Sequence, residues 1–188
     1  MKSTILLAGI IGAFALGAAP ALAQQQPAAA PPAAAPSPPN LDAIPDAMPF
    51  NTPYGAPITL ERAEAALAAA LAESNKRGWQ MNMAVVDSGG NLVAFKRMDG
   101  AQLASISIAE HKARVAVKFR RETKAFENAV QKLGLNYILT LDDVVASRGG
   151  IPLVEGGKII GAIGCSGGTG SQDEATCAAG AATINKSM

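Results

Sequence analysis

The stretch IAEHKARVAV, residues 108–117, holds the chain's only histidine beside a lysine and close to an arginine. His111 is a candidate ligand or catalyst, because imidazole can bind a metal or move a proton near neutral pH. An exposed place on a helix surface is the alternative. Residues 112–124 carry six cations and one acidic residue, Glu122, so they form either a solvated basic face or a carboxylate-binding site. The cations are Lys112, Arg114, Lys118, Arg120, Arg121 and Lys124.

A helical wheel of residues 104–119, drawn at 100° per residue, separates these candidates. His111 falls on the polar side of the wheel, at its border with Val115. Lys112 falls inside the apolar arc, between Phe119 and Ala109. A lysine at such a position must extend its stem to water, pair with an acid, or face a polar cavity. We therefore expect Lys112 to matter more than His111 for any ligand, unless the histidine binds a metal directly.

A glycine-rich loop, GCSGGTGSQDE at 164–174, precedes the last predicted helix. Backbone N–H groups of Gly167 and Gly168 at such a helix start could bind an anion, and a plain flexible connector is the alternative. Asp173 and Glu174 favour the start of the helix through its dipole without any ligand.

Charged residues also stand at the ends of a predicted hairpin. Asp87, Arg97 and Asp99 are either ligand-binding residues or turn-formers and surface pairs. No hydrolase triad is visible, because the histidine has no acidic partner by spacing and neither cysteine lies in a nucleophile signature. One His and two Cys are too few for a closed zinc site.

Cys165 and Cys177 are predicted to form a disulfide. Cys165 lies at the end of a predicted strand, and Cys177 lies one to two turns into the helix that follows. A helix that folds back on its strand brings two such positions close together, and two buried free thiols are the alternative.

The elements that must position these residues follow from periodicity and turn chemistry. Apolar residues at helical spacing, closed by Gly78, predict a helix over 60–77. Runs at 81–86 and 92–97, and again at 151–155 and 158–164, surround glycine-containing turns and predict two hairpins. Between the hairpins lie the helix of His111 and a second helix that starts near Thr123 and stops at Gly134. A final helix covers about 172–185. Helix, hairpin, two helices, hairpin and helix indicate an α+β fold with an antiparallel sheet.

The 188 residues are predicted to form three regions. Residues 1–23 have a positive start, an apolar run and an Ala-Leu-Ala cleavage site, as in a secretory signal peptide. Residues 24–57 are rich in Pro and Ala and read as a disordered linker, whose last part can lie on the domain surface. Residues 58–188 form one folded domain. Loss of Lys2 with the signal peptide leaves 15 basic and 15 acidic residues, which gives no sign of nucleic-acid binding. We expect a periplasmic or secreted protein with no membrane association after cleavage.

Four stretches resemble the GlcG/HbpS family of small haem-binding proteins, which is related to the C-terminal domain of PduO-type proteins. They are AVVDSGGNLVAFKRMDGA (84–101), SISIAEHKARVAVKF (105–119), GGIPLVEGGKIIGAIGCSGG (149–168) and QDEATCAAGAA (172–182). The resemblance implies a profilin-like antiparallel sheet with helices packed on both sides, homo-oligomers, and binding of haem or a related tetrapyrrole. The lysine-alanine step of the family falls on Lys112-Ala113. Some relatives have Thr where this chain has Val115, so a hydroxyl contact to haem would be lost there.

Haem needs an apolar slot, cations for its propionates and optionally an axial ligand. The candidate iron ligands are His111, Tyr137, Met81, Met83 and Met98, and the histidine is the strongest donor among them. We therefore expect an exported ligand-binding protein with haem or another tetrapyrrole as its ligand. An enzyme that degrades haem or acts on a small hydroxy acid or diol is the first alternative. An oligomeric structural accessory protein is the second.

Overall fold

The structure is a computed structural model that describes residue 40 and residues 42–185. The predicted signal peptide and the first part of the predicted linker lie outside the described residues. The element order is helix, hairpin, two helices, hairpin and helix, as the sequence predicts. The elements are α1 (Leu60–Arg77), β1 (Asn82–Asp87), β2 (Leu92–Arg97), α2 (Ala104–Lys118), α3 (Lys124–Leu133), a 3-10 helix (Asn136–Thr140), β3 (Gly150–Glu155), β4 (Lys158–Ser166) and α4 (Gly170–Ala181).

The four strands form one antiparallel sheet in the order β2-β1-β4-β3. Side chains alternate across the sheet, so each strand has one set of side chains on each face. On one face Met83 and Ile163 pack against α1 and α4 in the main core. On the other face Val86 and Ala162 pack against the alanines of α2. The α+β fold with helices on both faces is therefore confirmed.

Two helix starts differ from the sequence prediction in how they are built. Thr123 precedes α3, but its hydroxyl accepts the Gly150 N–H at 2.9 Å instead of capping the helix. The last helix begins at Gly170 rather than near 172, because Thr169 and Gln172 form a capping box. This box is the two-way exchange of side-chain and backbone hydrogen bonds that fixes a helix start.

Part of the predicted linker contacts the domain. Tyr54 forms a parallel bridge with Ile159, and the Gly55 N–H donates to the Ile159 carbonyl at 2.8 Å. The Tyr54 hydroxyl donates to the carbonyl of Val117, at the end of α2, at 3.0 Å. The Arg121 guanidinium lies 3.4 Å from the centroid of the Phe50 ring. Residues 50–57 therefore lie on the domain surface, as predicted for the last part of the linker.

The disulfide between Cys165 and Cys177 is present, with a Cα–Cα distance of 5.6 Å. It joins the end of β4 to α4, and both cysteines are fully buried. The predicted geometry of a helix folding back on its strand is thus confirmed.

We expect reduction of this disulfide to lower the free energy of unfolding by roughly 3 kcal/mol, because the bond closes a loop and so reduces the conformational entropy of the unfolded chain. Denaturation curves with and without reductant measure this difference. Thiol titration of the denatured, unreduced protein should find no free thiol. Two titratable thiols would show that the bond does not form.

Candidate functional site

A large cleft lies between the end of α1 and strand β2, with a volume of about 750 Å³. A cleft of this size can take a ligand as large as a typical cofactor. Its walls combine apolar side chains, two aromatic rings, two amides, two cations and one carboxylate: Leu71, Asn75, Gly78, Trp79, Gln80, Phe95, Lys96, Arg97, Met98 and Asp99. The mixture suits a flat apolar ligand with anionic groups at one end.

The sequence builds this cleft with a helix stop and a strand edge. Gly78 ends α1 in the left-handed conformation, with φ at 68°, which favours glycine. The chain then turns and places Trp79 in the wall, where the Arg77 guanidinium lies 4.9 Å from the ring centroid. On the opposite side, the Met98 Sδ accepts the Met81 N–H at 3.4 Å. This hydrogen bond joins the segment that follows α1 to the end of β2.

A smaller cleft of about 280 Å³ adjoins the first and shares Trp79 and Gln80 with it. Its walls are mostly amide side chains and glycines: Trp79, Gln80, Met81, Gly100, Gln102, Gly167, Gly168 and Gln172. No charged side chain lines it among the described residues. It therefore favours a neutral polar group over an anion.

An internal carboxylate, that of Asp173, accepts a hydrogen bond from the glycine loop. The Gly168 N–H donates to Oδ1 of Asp173 at 3.0 Å, and Oδ2 of the same carboxylate accepts from Lys112 Nζ at 2.7 Å. Burial raises the pKa of Asp173 above its ordinary value, while Lys112 and the N–H groups of Gly168 and Gly167 act in the opposite direction. Gly167 and Gly168 line the smaller cleft, but the backbone donor of Gly168 is already bound to Asp173.

Lys112 is almost fully buried, with 1% of its side chain exposed, and Asp173 has 4% exposed. Of the three possibilities that the helical wheel leaves for Lys112, the structure shows pairing. Lys112 lines neither cleft. Its predicted importance for ligand binding stays a prediction, and direct contact with a ligand would require the ion pair to open.

The other α2 candidates line neither cleft. His111 is exposed on the helix surface, as its polar place on the wheel indicates. Arg114 pairs with Glu110 one turn earlier, at 2.7 Å. Val115 is buried in a core cluster with Phe126 and Ile138. None of the three lines a cleft, so their roles in binding stay predictions.

The six cations of the predicted basic cluster do not converge. Lys118 pairs with Asp143, and Lys124 pairs with Glu174. The Arg120 guanidinium lies 4.6 Å from the centroid of the Tyr54 ring. Arg121 lies between two rings, and burial lowers its pKa. Each cation has a local partner, so the cluster fits a set of structural contacts better than one carboxylate site.

The hairpin residues divide between the two predicted alternatives. Asp87 is a turn-former, since its Oδ1 accepts the N–H groups of Gly89 and Asn91 at 2.8 and 2.9 Å. Desolvation raises the pKa of Asp87, but the hydrogen bonds from Asn91, Gly89 and Gly90 outweigh it and the pKa falls below its ordinary value. Arg97, by contrast, lines the large cleft together with Asp99.

Among the predicted iron ligands, Met98 lines the large cleft and Met81 lines the small one. Met83 is fully buried in the core, and Tyr137 and His111 are exposed elsewhere. Within the described part of the chain, no three His, Cys, Asp or Glu side chains come close enough together to hold a metal ion.

Sequence reasoning missed the central residue of the site, Trp79. The chain has one tryptophan, and it follows the glycine that stops α1. A large aromatic side chain directly after a helix stop is a signal that could have marked this wall. Phe95 and Lys96 were also missed, because they line the cleft only as a result of β2 lying at the edge of the sheet.

The structure thus defines an α+β protein with one antiparallel sheet and two adjoining clefts at one end. A family model described as haem degrading protein HbpS-like matches residues 58–182, and the chain belongs to this family. Protein GlcG of Escherichia coli is 40% identical over 109 residues, which cover 58% of this chain and 81% of GlcG.

Solved structures show the same fold. A double mutant of HbpS from Streptomyces reticuli superposes with a TM-score of 0.64 at 29% identity, covering 85% of this chain and 99% of HbpS. A PduOC:heme complex superposes with a TM-score of 0.62 at 28% identity, covering 69% of this chain and 96% of PduOC. Within the described residues, no helix is long and apolar enough to cross a membrane.

Proposed function

We propose that this protein binds haem or a related tetrapyrrole in the large cleft. The observation that carries the proposal is the composition of the cleft, in which two aromatic rings and two cations line about 750 Å³. Family membership and the haem complex of a relative support the same ligand. Bound haem would supply a redox-active iron, and the residues of this chain would bind and orient it.

Each wall of the cleft would have a separate role. Trp79 and Phe95 offer flat apolar surfaces to a porphyrin ring. Lys96 and Arg97 would bind its propionates, and Arg97 can do so with two parallel hydrogen bonds. Met98 would offer a thioether sulfur to the iron. The residues present therefore fit the group in chemical type.

We further propose that the protein acts after export, as a periplasmic or secreted binder. The disulfide supports this, because such bonds persist in oxidising compartments. A homo-oligomer is also proposed, and light scattering of the purified protein tests it.

A haem titration tests the proposed function. We expect a Soret band to appear together with quenching of the emission of Trp79, because the only tryptophan of the chain lines the cleft. Arg97→Ala should weaken binding by about fivefold, near 1 kcal/mol, through loss of an exposed charged hydrogen bond. Lys132→Ala, which removes an exposed cation on α3 outside both clefts, is the matched control and should bind like the parent.

Two results would contradict the proposal. A Soret band without quenching of Trp79 would place haem elsewhere on the protein, and absence of the band would exclude haem binding. If the band forms and then decays with a reductant present, the protein degrades haem, in line with the description of its family. A stable band under reductant indicates a binding protein.

A further inference from the structure

The buried ion pair of Lys112 and Asp173 sits in a space that glycines leave open. A Cβ added at Gly149 would lie 2.8 Å from the Asp173 Cβ and 3.3 Å from Lys112 Nζ. Gly149 also has φ at 115°, a conformation that other residues rarely adopt. The backbone is therefore shaped around the pair, and a larger residue there would displace it.

The carboxylate of Asp173 in turn fixes the glycine loop. Its Oδ1 holds the Gly168 N–H at 3.0 Å, and the Gly167 N–H also contributes to the hydrogen bonding of this carboxylate. Lys112 belongs to α2 and Asp173 to α4, so the pair joins helices that pack on opposite faces of the sheet. The loop between β4 and α4 is thus held by the Asp173 carboxylate, which is itself held by Lys112.

The loop then contacts the residues that separate the two clefts. A Cβ at Gly167 would lie 2.9 Å from the Met81 Cα and would overlap the carbonyl oxygen of Gln80. Gln80 lines both clefts, and its neighbour Trp79 does the same. A shift of the loop toward the segment 79–81 must therefore move that segment, and a shift away removes the contact that holds it in place.

We propose that Lys112 and Asp173 are positioning residues for the ligand cleft. Together they hold the Gly167–Gly168 loop, and through it the Trp79 wall, without touching the ligand themselves. This inference rests on the proposed function for the identity of the ligand, but it predicts an effect on Trp79 with no ligand present. It also gives a physical reason why Lys112 matters for ligand binding, as the sequence predicts, although its side chain does not contact the ligand.

Asp173→Ala removes the carboxylate and leaves a vacancy beside Lys112 Nζ and the Gly168 N–H, which formate can fill. We expect a red shift of Trp79 emission in this variant and a loss of haem affinity of fivefold or more. Excess formate should restore both, whereas chloride at the same ionic strength should not. Formate should not rescue Lys112→Ala, because that variant lacks the cation that would bind it.

Asp173→Asn keeps the size of the side chain and an acceptor for the Gly168 N–H, so it serves if the alanine variant does not fold. It should show a smaller shift of Trp79 emission and a smaller loss of affinity. Glu174→Gln is the matched control, because it alters the next residue of α4 and its ion pairs with Lys124 and Arg148 but leaves the pair of Lys112 and Asp173 in place. This control should match the parent in emission and affinity.

The proposal is overturned if the Asp173 variants keep the parent's Trp79 emission and bind haem as the parent does. It is also overturned if Lys112→Ala loses affinity while Asp173→Ala binds more tightly, since that result means that Lys112 touches the ligand. If the parent itself binds no haem, the proposed function fails, and the formate-dependent emission of Trp79 still decides whether the pair positions the cleft.

Discussion

Replacing Lys112 by alanine is expected to lower the free energy of unfolding by about 3–5 kcal/mol. The substitution leaves the Asp173 carboxylate buried, with 4% of its side chain exposed and no cation beside it. Removing one partner of a buried ion pair lowers the stability far more than removing both, because the remaining charge stays buried without an opposite charge beside it. Denaturant unfolding of the two proteins at neutral pH measures the difference.

The loss caused by Lys112→Ala should shrink as the pH falls. Burial raises the pKa of Asp173 in the folded protein above its ordinary value, so this carboxylate takes up a proton at a higher pH in the folded protein than in the unfolded chain. The stability that this group contributes is fully present below its ordinary pKa of 3.8 and is lost as the pH rises through its folded-state pKa. Without Lys112 the folded-state pKa of Asp173 should rise further, so the loss of stability should extend to higher pH.

Lys124→Ala provides the comparison for this experiment. Lys124 pairs with Glu174, the residue after Asp173, but 41% of its side chain is exposed. Exposed pairs contribute about 0–1 kcal/mol, so this variant should unfold close to the parent. If both lysine variants lose the same small amount, the pair of Lys112 and Asp173 is not buried in solution.

Local patterns explain why the helices and hairpins were predictable. The bounds of α1 match the prediction, because its apolar spacing and the Gly78 stop are both local signals. The hairpin turns were equally predictable, because glycines mark them in the sequence. In the structure Gly90, Gly156 and Gly157 have positive φ. These features depend on residues within one element, so they can be read without knowledge of the rest of the fold.

The partner of Lys112 could not be predicted in the same way. The helical wheel shows that this lysine needs compensation, because it falls among apolar residues. Asp173 lies 61 residues further along the chain, and the two meet only because α2 and α4 flank the same end of the sheet. Strand order decides that meeting, and no local periodicity encodes strand order.

The cleft was hidden for a similar reason. Its walls come from α1 and from β2, which is an edge strand only because β1 pairs with β4 on its other side. Met98 and Arg97 were candidates by residue type, but their convergence with Trp79 depends on this order. The disulfide was predictable, because its two cysteines lie only 12 residues apart on consecutive elements.

Gly164→Ala is expected to cost about 3 kcal/mol or more of the free energy of unfolding. Gly164 lies in β4, directly beneath α2. A Cβ at this position would lie 2.5 Å from the Ala113 backbone nitrogen and would overlap the Ala109 carbonyl oxygen. Both atoms belong to helix backbone, so no rotation of a side chain can relieve the overlap. The helix must move away from the sheet instead.

Such a movement should also reach the cleft, because α2 carries Lys112 toward Asp173. Gly164→Ala is therefore expected to shift Trp79 emission along with the loss of stability. Gly89→Ala is the matched control, since its Cβ would meet only side-chain atoms, of Asn91 at 3.1 Å and Asp87 at 3.3 Å. It should stay within about 1 kcal/mol of the parent. Equal stability of the two variants in urea would show that α2 does not pack this closely on β4.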